Sequence, residues 1–218
     1  MTVVFKDKMW LMGGWYNGRL KGHSAGNQVW SSVDGTNWEL VTPHADWTPR
    51  LAAGLVVFKD RLWLLGGTEN YYFGDEKSLK NDVWSSADGK NWKQETAQAP
   101  WHERLWFSTV VYRDRLWVIG GWSNNPAANK NDAWYSQDGK DWKQLKSDHV
   151  WKARHEHSAF VFQDKIWLAG GHAQPLNSEV WTLDIPEAWF EKTEETQKTT
   201  STQSAFTRTI AKLKTGKA

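Results

Sequence analysis

Three arginines in this sequence have the chemistry and the regular spacing needed to recognise an anionic group. Each follows a tryptophan by three positions in a recurring Trp-x-x-Arg motif, and they are Arg50, Arg104 and Arg154. A guanidinium offers planar, paired N–H donors that match a carboxylate or a phosphate, so an acidic sugar is one candidate ligand. A recurring residue can equally hold a repeat together through carbonyl or carboxylate partners. The sequence therefore leaves a binding role and an architectural role open for these arginines.

The segment RHEHS, residues 154 to 158, adds two histidines to the last of these motifs. If the segment is a strand, alternation places His155 and His157 on one side and Glu156 on the other. Two histidines can share a metal ion, but zinc normally needs a third protein ligand, and the sequence identifies none. The pair His102 and Glu103 has groups suited to acid–base chemistry but no identifiable partner. We therefore predict no metal and no cofactor, and the catalytic residues stay unassigned.

Aromatic residues supply a second kind of candidate chemistry, because ring faces stack on the C–H surfaces of sugars. Most of the 18 tryptophans recur at fixed places in the sequence, which favours a packing role, whereas Trp15, Trp106 and Trp122 do not recur. Trp15 and Trp122 directly follow Gly-Gly pairs, so we expect both to begin variable loops. The alternative for Trp15, Trp106 and Trp122 is that they pack loops over neighbouring units. The candidate ligand-binding residues are Trp15, Tyr16, Arg50, Tyr71, Tyr72, Arg104, Trp106, Trp122, Arg154 and His157.

Four similar units must position these residues. Gly-Gly pairs end at Gly14, Gly67, Gly121 and Gly171, which gives a period of about 50 residues. Each unit has four strand candidates, called a to d: a β-branched run, an apolar run ending in Gly-Gly, a run with Val-Trp, and a run opened by tryptophan. In NDVWSSADGKNW, residues 81 to 92, Asp-Gly predicts the tight turn from c to d. The pattern predicts an all-β fold, a β-propeller of four-stranded antiparallel blades.

These motifs resemble kelch repeats. Gly-Gly ends strand b, an aromatic residue lies in strand c, a tryptophan opens strand d and an arginine precedes strand a. This combination is similar to that of the Trp-rich bacterial kelch proteins that resemble the central domain of galactose oxidase. The resemblance covers about residues 2 to 193. The family's histidine three residues after the arginine is matched only by Arg154 and His157, which implies a hydrogen-bonded channel residue. The copper site of galactose oxidase needs a cysteine, and this chain has none, so the resemblance stops at the propeller.

The resemblance implies several functions, because kelch propellers serve as enzymes, sugar binders and protein-interaction platforms. We expect a ligand-binding or interaction module that binds a carbohydrate or a protein through the end that carries the b-to-c loops. The alternative is a carbohydrate-active enzyme, such as one similar to a kelch-type sialic-acid mutarotase, that uses an arginine-lined channel mouth.

Composition excludes other classes of function. The chain has 218 residues, 39% of them hydrophobic and 24% charged, with a formal net charge of +2 and both signs interspersed. We therefore expect no nucleic-acid partner, and the absence of a long apolar run argues against a membrane span. The zero cysteine count excludes disulfides and thiolate metal sites. Compartment stays open: cytoplasmic if Met1 is the native start, exported if a signal peptide was removed.

The predicted domain covers residues 1–193, with blades at about 2–46, 47–100, 101–150 and 151–193. The polar and basic tail, residues 194–218, is expected to be disordered or to form a short helix. Four blades can form a tight ring, part of a larger propeller, or an assembly of copies, since an open arc exposes apolar faces. We favour a partial propeller and keep a homo-oligomer as an alternative.

Overall fold

The structure is a computed structural model that describes residues 1–16, 24–70, 77–185, 189 and 206–209. It contains four antiparallel sheets, and each has four strands. The strands of blade 1 are β1 (Thr2–Phe5), β2 (Lys8–Tyr16), β3 (Ser24–Ser32) and β4 (Glu39–Thr42). Those of blade 2 are β5 (Gly54–Phe58), β6 (Arg61–Thr68), β7 (Leu79–Ser86) and β8 (Lys93–Thr96). Those of blade 3 are β9 (Ser108–Val111), β10 (Leu116–Asn124), β11 (Ala127–Ser136) and β12 (Lys143–Gln144).

Blade 4 contains β13 (Ser158–Phe162), β14 (Lys165–Ala169), β15 (Val180–Leu183) and β16 (Phe206–Thr209). In every blade the strands lie side by side in chain order, and the first strands contact each other in the series β1, β5, β9, β13. The β-propeller prediction is thereby confirmed, and the uncovered faces of blades 1 and 4 agree with a partial propeller. In the described part of the chain, no helix is both long enough and apolar enough to cross a bilayer.

The Gly-Gly pairs of blades 1 to 3 form β-bulges inside strand b. The register of β6 against β7 shifts between Leu65 and Gly67, and both glycines have positive φ angles, +51° and +94°. A Cβ added to Gly67 would lie 2.7 Å from the Cβ of Ala53, so glycine is required there. Because strand b continues beyond the bulge, Trp15 lies in β2 and Trp122 in β10. The expectation that these two residues begin loops was wrong.

In blades 2 and 3 the Asp-Gly turn packs against the preceding blade. The Ser86 hydroxyl accepts a hydrogen bond from the Gly89 amide at 2.8 Å, and the Trp92 indole donates to the Gly89 carbonyl at 3.0 Å. Burial alone would raise the pKa of Asp88, but hydrogen bonds from Asn91 and the Lys90 amide lower it to about 2. A Cβ on Gly89 would come within 2.1 Å of the Trp10 ring in blade 1. The turn is therefore a structural element.

Three apolar cores fill the spaces between successive blades. Blades 1 and 2 bury Phe5, Trp10 and Leu64 together with the connector residue Trp47. Equivalent residues fill the junctions between blades 2 and 3 and between blades 3 and 4. The connector tryptophans are almost completely buried and are Trp47, Trp101 and Trp151. The recurring tryptophans in these cores thus pack blade against blade, as their recurrence predicts.

The last strand of blade 4 comes from the tail. β16 pairs antiparallel with β15, and Trp181 lies opposite Arg208 in the register. For residues 206–209 the structure therefore differs from the expected disordered or helical tail. Unlike the other units, the fourth has no Asp-Gly pair after strand c, so this turn cannot fold the next residues back as strand d. Trp189, which was expected to open strand d, makes an edge contact with Tyr135 of blade 3, with centroids 5.2 Å apart.

Candidate functional site

The connector arginines lie inside the protein and are bonded to protein partners. The Arg50 side chain is 0% exposed. It donates to both carboxylate oxygens of Asp82 at 2.5 and 3.0 Å, to the Gly66 carbonyl at 3.0 Å, and to the carbonyl and hydroxyl of Thr48. These bonds use all five N–H donors of the guanidinium. No N–H of Arg50 is left for a ligand.

The same network recurs in blades 3 and 4. Arg104 donates to both oxygens of Asp132 at 2.7 and 2.9 Å, and Arg154 donates to Glu179 at 3.2 Å. Burial alone would raise the pKa of Asp132, but the hydrogen bonds and charge of Arg104 outweigh it and lower the pKa. Both arginines are completely buried. This geometry favours the architectural alternative for the three arginines over a ligand-binding role.

The carboxylate partners were missed in the sequence, although a signal was present. An acidic residue stands two positions before the strand c tryptophan in the three units that have the arginine, at Asp82, Asp132 and Glu179. The first unit has no Trp-x-x-Arg motif before it, and it carries Gln28 at this position, whose Oε1 accepts a hydrogen bond from Trp30. The acid and the arginine therefore occur together, as expected of a structural pair.

An aromatic cluster lies where blades 3 and 4 meet, and we call it the Trp106 stack. It consists of Trp106, His155 and His172 in a column, with Trp122 set edge-on. The His155 ring lies 5.1 Å from Trp106 and 4.9 Å from His172, with interplanar angles of 23° and 25°. The stack thus unites two of the predicted site residues with two histidines that were not in the candidate set.

Local backbone geometry builds this stack. Trp106 has a φ of +55° and Glu156 a φ of +54°, which are unusual for residues other than glycine. Isolated bridges pair Leu105 with Trp122 and His155 with His172, so the connectors run antiparallel to the ends of strand b. The left-handed Glu156 interrupts the strand alternation. His155 and His157 consequently do not share the environment that alternation predicted.

Hydrogen bonds fix the His155 imidazole. Its Nδ1 lies 2.6 Å from the Asn129 side-chain oxygen, and the Asn129 amide donates to the His172 carbonyl at 3.1 Å. Since that amide orientation makes the oxygen an acceptor, Nδ1 donates and Nε2 is the acceptor of the neutral ring. Burial lowers the pKa of His155, Glu156 raises it by less, and His172 lowers it again. Nε2 lies 3.8 Å from the Glu156 carboxylate, so the ring nitrogen and the carboxylate are two neighbouring hydrogen-bond acceptors.

His157 is a buried histidine and lies apart from this stack. Its ring is 6% exposed, and neither nitrogen makes a hydrogen bond of normal geometry. Burial, followed by the charge of Arg154, lowers its pKa from 6.5 to about 4, although the Ile119 carbonyl acts in the opposite direction. The expectation of a well hydrogen-bonded histidine was therefore wrong, because the ring is packed against Gly120 in the position that Phe107 occupies in blade 3.

A polar cleft of about 540 Å³ opens on the same end of the blades, between blades 2 and 3. Its walls come from the start of strand c, the connector and the hairpin of blade 3. The residues that line it are Lys77, Leu79, Lys80, Asn81, Asp82, Ala97, Gln98, Glu103 and Asn125. Lys80 pairs with Glu69 at 2.9 Å, while Glu103 and Lys77 add charges of opposite sign. The cleft was not predicted, since its residues come from three separate segments.

The remaining candidate residues are distributed over the propeller. Trp15 lies in β2 of blade 1 opposite Ala25, so it is not part of the Trp106 stack. The backbone of Tyr16 ends β2, and its side chain lies outside the described residues, as do Tyr71 and Tyr72. Across the described residues, no group of three or more histidines, cysteines or acidic residues could hold a metal ion.

Comparison with known proteins identifies the family. The family model of the KLHDC2/KLHL20/DRC7 Kelch-repeats domain matches residues 1–214 of the chain. The chain belongs to the kelch-repeat family. A kelch-repeat domain is in general an interaction or binding module, and its repeats account for the four blades. No curated protein matches the chain. The more specific likeness to the galactose oxidase central domain stays a prediction.

Proposed function

We propose that this kelch propeller binds a segment of a partner protein in the cleft between blades 2 and 3. The observation that carries the proposal is the cleft itself, about 540 Å³ in volume and lined by charged and amide side chains. This volume falls within the range of ligand sites, roughly 300–1,000 Å³. Kelch-repeat domains are in general interaction modules, and the cleft is the surface on this chain where we expect the partner to bind.

The chemistry of the cleft suits a polar peptide segment with charges of both signs. Lys77 is exposed and Glu103 is partly exposed at the cleft, and the Asn125 amide offers both a donor and an acceptor. Opposite charges on the two walls fix the direction of a partner segment and raise its association rate. An apolar partner segment would leave these groups without water or hydrogen-bond partners.

The test combines two charge reversals, Lys77→Glu and Glu103→Lys, in one variant. Partner proteins captured by the parent chain in chemical crosslinking should be lost from this variant. The matched control is Lys90→Glu, because Lys90 is exposed on the c-to-d turn, at the other end of blade 2. If the cleft variant captures the same proteins as the parent and the control, the cleft does not bind them.

A second candidate ligand, a carbohydrate, is favoured by the Trp106 stack. Trp122 is partly exposed beside the column, and His155 Nε2 and the Glu156 carboxylate provide acceptors for sugar hydroxyls. A glycan array probed with the parent chain should give signals that Trp122→Ala removes and Trp38→Ala keeps. A loss with both tryptophan variants, or with neither, would contradict sugar binding at the stack.

The enzyme alternative has less support from the geometry. It depends on an arginine-lined mouth, but the arginines are completely buried and bonded to Asp82, Asp132 and Glu179. A desolvated histidine does lie beside Arg154, yet its ring is packed into the protein interior. Binding by the exposed cleft and stack is therefore the function that the described residues support best.

A further inference from the structure

Blade 1 exposes an apolar face whose equivalents in blades 2 and 3 are buried. Leu11 is 39% exposed, whereas Leu64, its equivalent in blade 2, is 0% exposed. Trp38 is 38% exposed, whereas its equivalent Trp92 is 8% exposed. Val4 and Met9 extend the same exposed surface. In blades 2 and 3 this face packs on the preceding blade, so the face of blade 1 has the shape and chemistry of a blade junction.

Blade 4 exposes the opposite face. Phe162 is 56% exposed, whereas Phe58 of blade 2, which occupies the same repeat position, is 4% exposed. Phe160 is also exposed, and Trp167 beside it is partly exposed. In blades 1 to 3 this face packs on the following blade. The chain thus carries both halves of one further blade junction.

The two uncovered faces also match in their specific contacts. At the internal junctions, the Trp10 ring packs on Gly89 and the Trp63 ring packs on Gly139 of the next turn. Trp117 of blade 3 has no turn glycine opposite it, because blade 4 lacks the Asp-Gly pair. The members of the series at the two open ends are Trp167, the strand b tryptophan of blade 4, and Gly35, the turn glycine of blade 1. Within the described segments, each is left without its counterpart.

Polar contacts at the rim continue the series. Lys6 pairs with Asp60 at 3.7 Å, and Lys59 pairs with Asp114 at 3.4 Å, each across a blade junction. The next pair across blades joins Arg113 to Asp164. The equivalent positions at the open ends are Gln163 of blade 4 and Asp7 of blade 1. A glutamine amide can donate a hydrogen bond to an aspartate, so Gln163 and Asp7 can form a polar contact of the same kind between the two open ends.

We propose that a second copy of this chain covers these faces, with blade 4 of each copy packed on blade 1 of the other. The contact continues the established blade junction, because both faces are copies of faces already joined within the chain. A head-to-tail contact closes when the rotation returns to the start, and two copies of four blades make eight. Eight lies within the usual propeller range of about four to eight blades, so a closed ring of two copies is compatible with that range.

The junction between copies should be weaker than those within the chain. At the internal junctions a connector tryptophan packs edge-on against strand d, as Trp47 does on Trp92 and Trp101 on Trp142, each at 5.9 Å. Among the described residues, no connector tryptophan follows blade 4 to pack on Trp38. The dimer is therefore expected to dissociate reversibly on dilution.

Mass measurement by light scattering tests the proposal with the 218-residue chain. The parent is expected at twice its chain mass of 25.2 kDa, with the mass falling on dilution. Leu11→Glu and Phe162→Lys change exposed residues of the two faces, so each variant should fold and be monomeric. We expect each to raise the dissociation constant by at least about tenfold, because each introduces an unpaired charge at an apolar contact.

The decisive experiment mixes the two monomeric variants. A mixed dimer would have one native junction and one in which the introduced glutamate faces the introduced lysine, so the dimer mass should return. The return would also show that both variants are folded. Four results overturn the proposal: a monomeric parent at all concentrations, a mass that grows beyond two copies, a dimer that neither substitution weakens, and variants that stay monomeric when mixed.

Discussion

The protein should lose stability as the pH falls, and replacement of His157 by phenylalanine should remove most of the part of this loss that comes from the His157 imidazole. Burial lowers the pKa of this imidazole from 6.5 to about 4. Between these values the unfolded chain binds a proton that the folded chain does not bind. The contribution of neutral His157 is therefore fully present above about pH 6.5 and is lost as the pH falls towards 4.

The expected size follows from the difference between the two pKa values. One pKa unit corresponds to about 1.4 kcal/mol, so the shift gives a total loss of about 3 kcal/mol in the free energy of unfolding. About 2 kcal/mol of this loss should already appear between pH 7 and pH 5. His157→Phe cannot take up the proton and should lack this component. At pH 7 the variant should gain about 1 kcal/mol, because two buried ring nitrogens without hydrogen bonds are removed.

Urea unfolding followed by tryptophan fluorescence at pH 7 and pH 5 measures the difference, with parent and variants at equal protein concentration. The matched control is His149→Phe, because His149 is an exposed histidine. The control should lose as much stability as the parent between the two pH values. If His157→Phe also loses as much as the parent, the buried neutral imidazole does not exist in solution.

Two further pairs of variants test the structural networks. Gly139→Ala should destabilise the fold by more than about 2 kcal/mol in urea unfolding, since it combines a φ of +74° with a Cβ only 2.1 Å from the Trp63 ring. Gly35→Ala has a similar φ but meets only the flexible end of Met9, so its loss should be smaller, and equal losses would contradict the turn packing. Asp132→Ala should cost about 3–5 kcal/mol because Arg104 is left buried without its carboxylate. Asp164→Ala removes an exposed ion pair and should cost much less than Asp132→Ala, and a comparable loss in both would contradict the buried network.

The blades could be predicted because their determinants are local and repeated. Gly-Gly, Asp-Gly and the strand tryptophans recur in register, so each copy supports the assignment of the others. The strand from the tail was not predictable in this way. Residues 206–209 have no counterpart in the other units, and their pairing with β15 is a contact between distant parts of the chain.

The candidate site was predicted only in part. Trp106 and Trp122 were recognised because they do not recur, and they do lie together in the Trp106 stack. Their partners His155 and His172 meet through an isolated bridge and a left-handed Glu156, which no glycine or asparagine signals in the sequence. Trp15 was grouped with Trp122 in the candidate set, but it lies in β2 of blade 1, whereas Trp122 lies in β10 of blade 3.

The sequence by itself determined the number of units, their four-strand pattern, the turn chemistry and the packing role of the recurring tryptophans. These features follow from residues within a few positions of one another, where backbone preference and apolar periodicity act directly. Only the tertiary structure decided that the arginines are closed off by Asp82, Asp132 and Glu179, that a polar cleft opens between blades 2 and 3, and that one face at each end stays uncovered. Access to solvent and choice of partner depend on which distant segments meet, and spacing along the chain does not specify that.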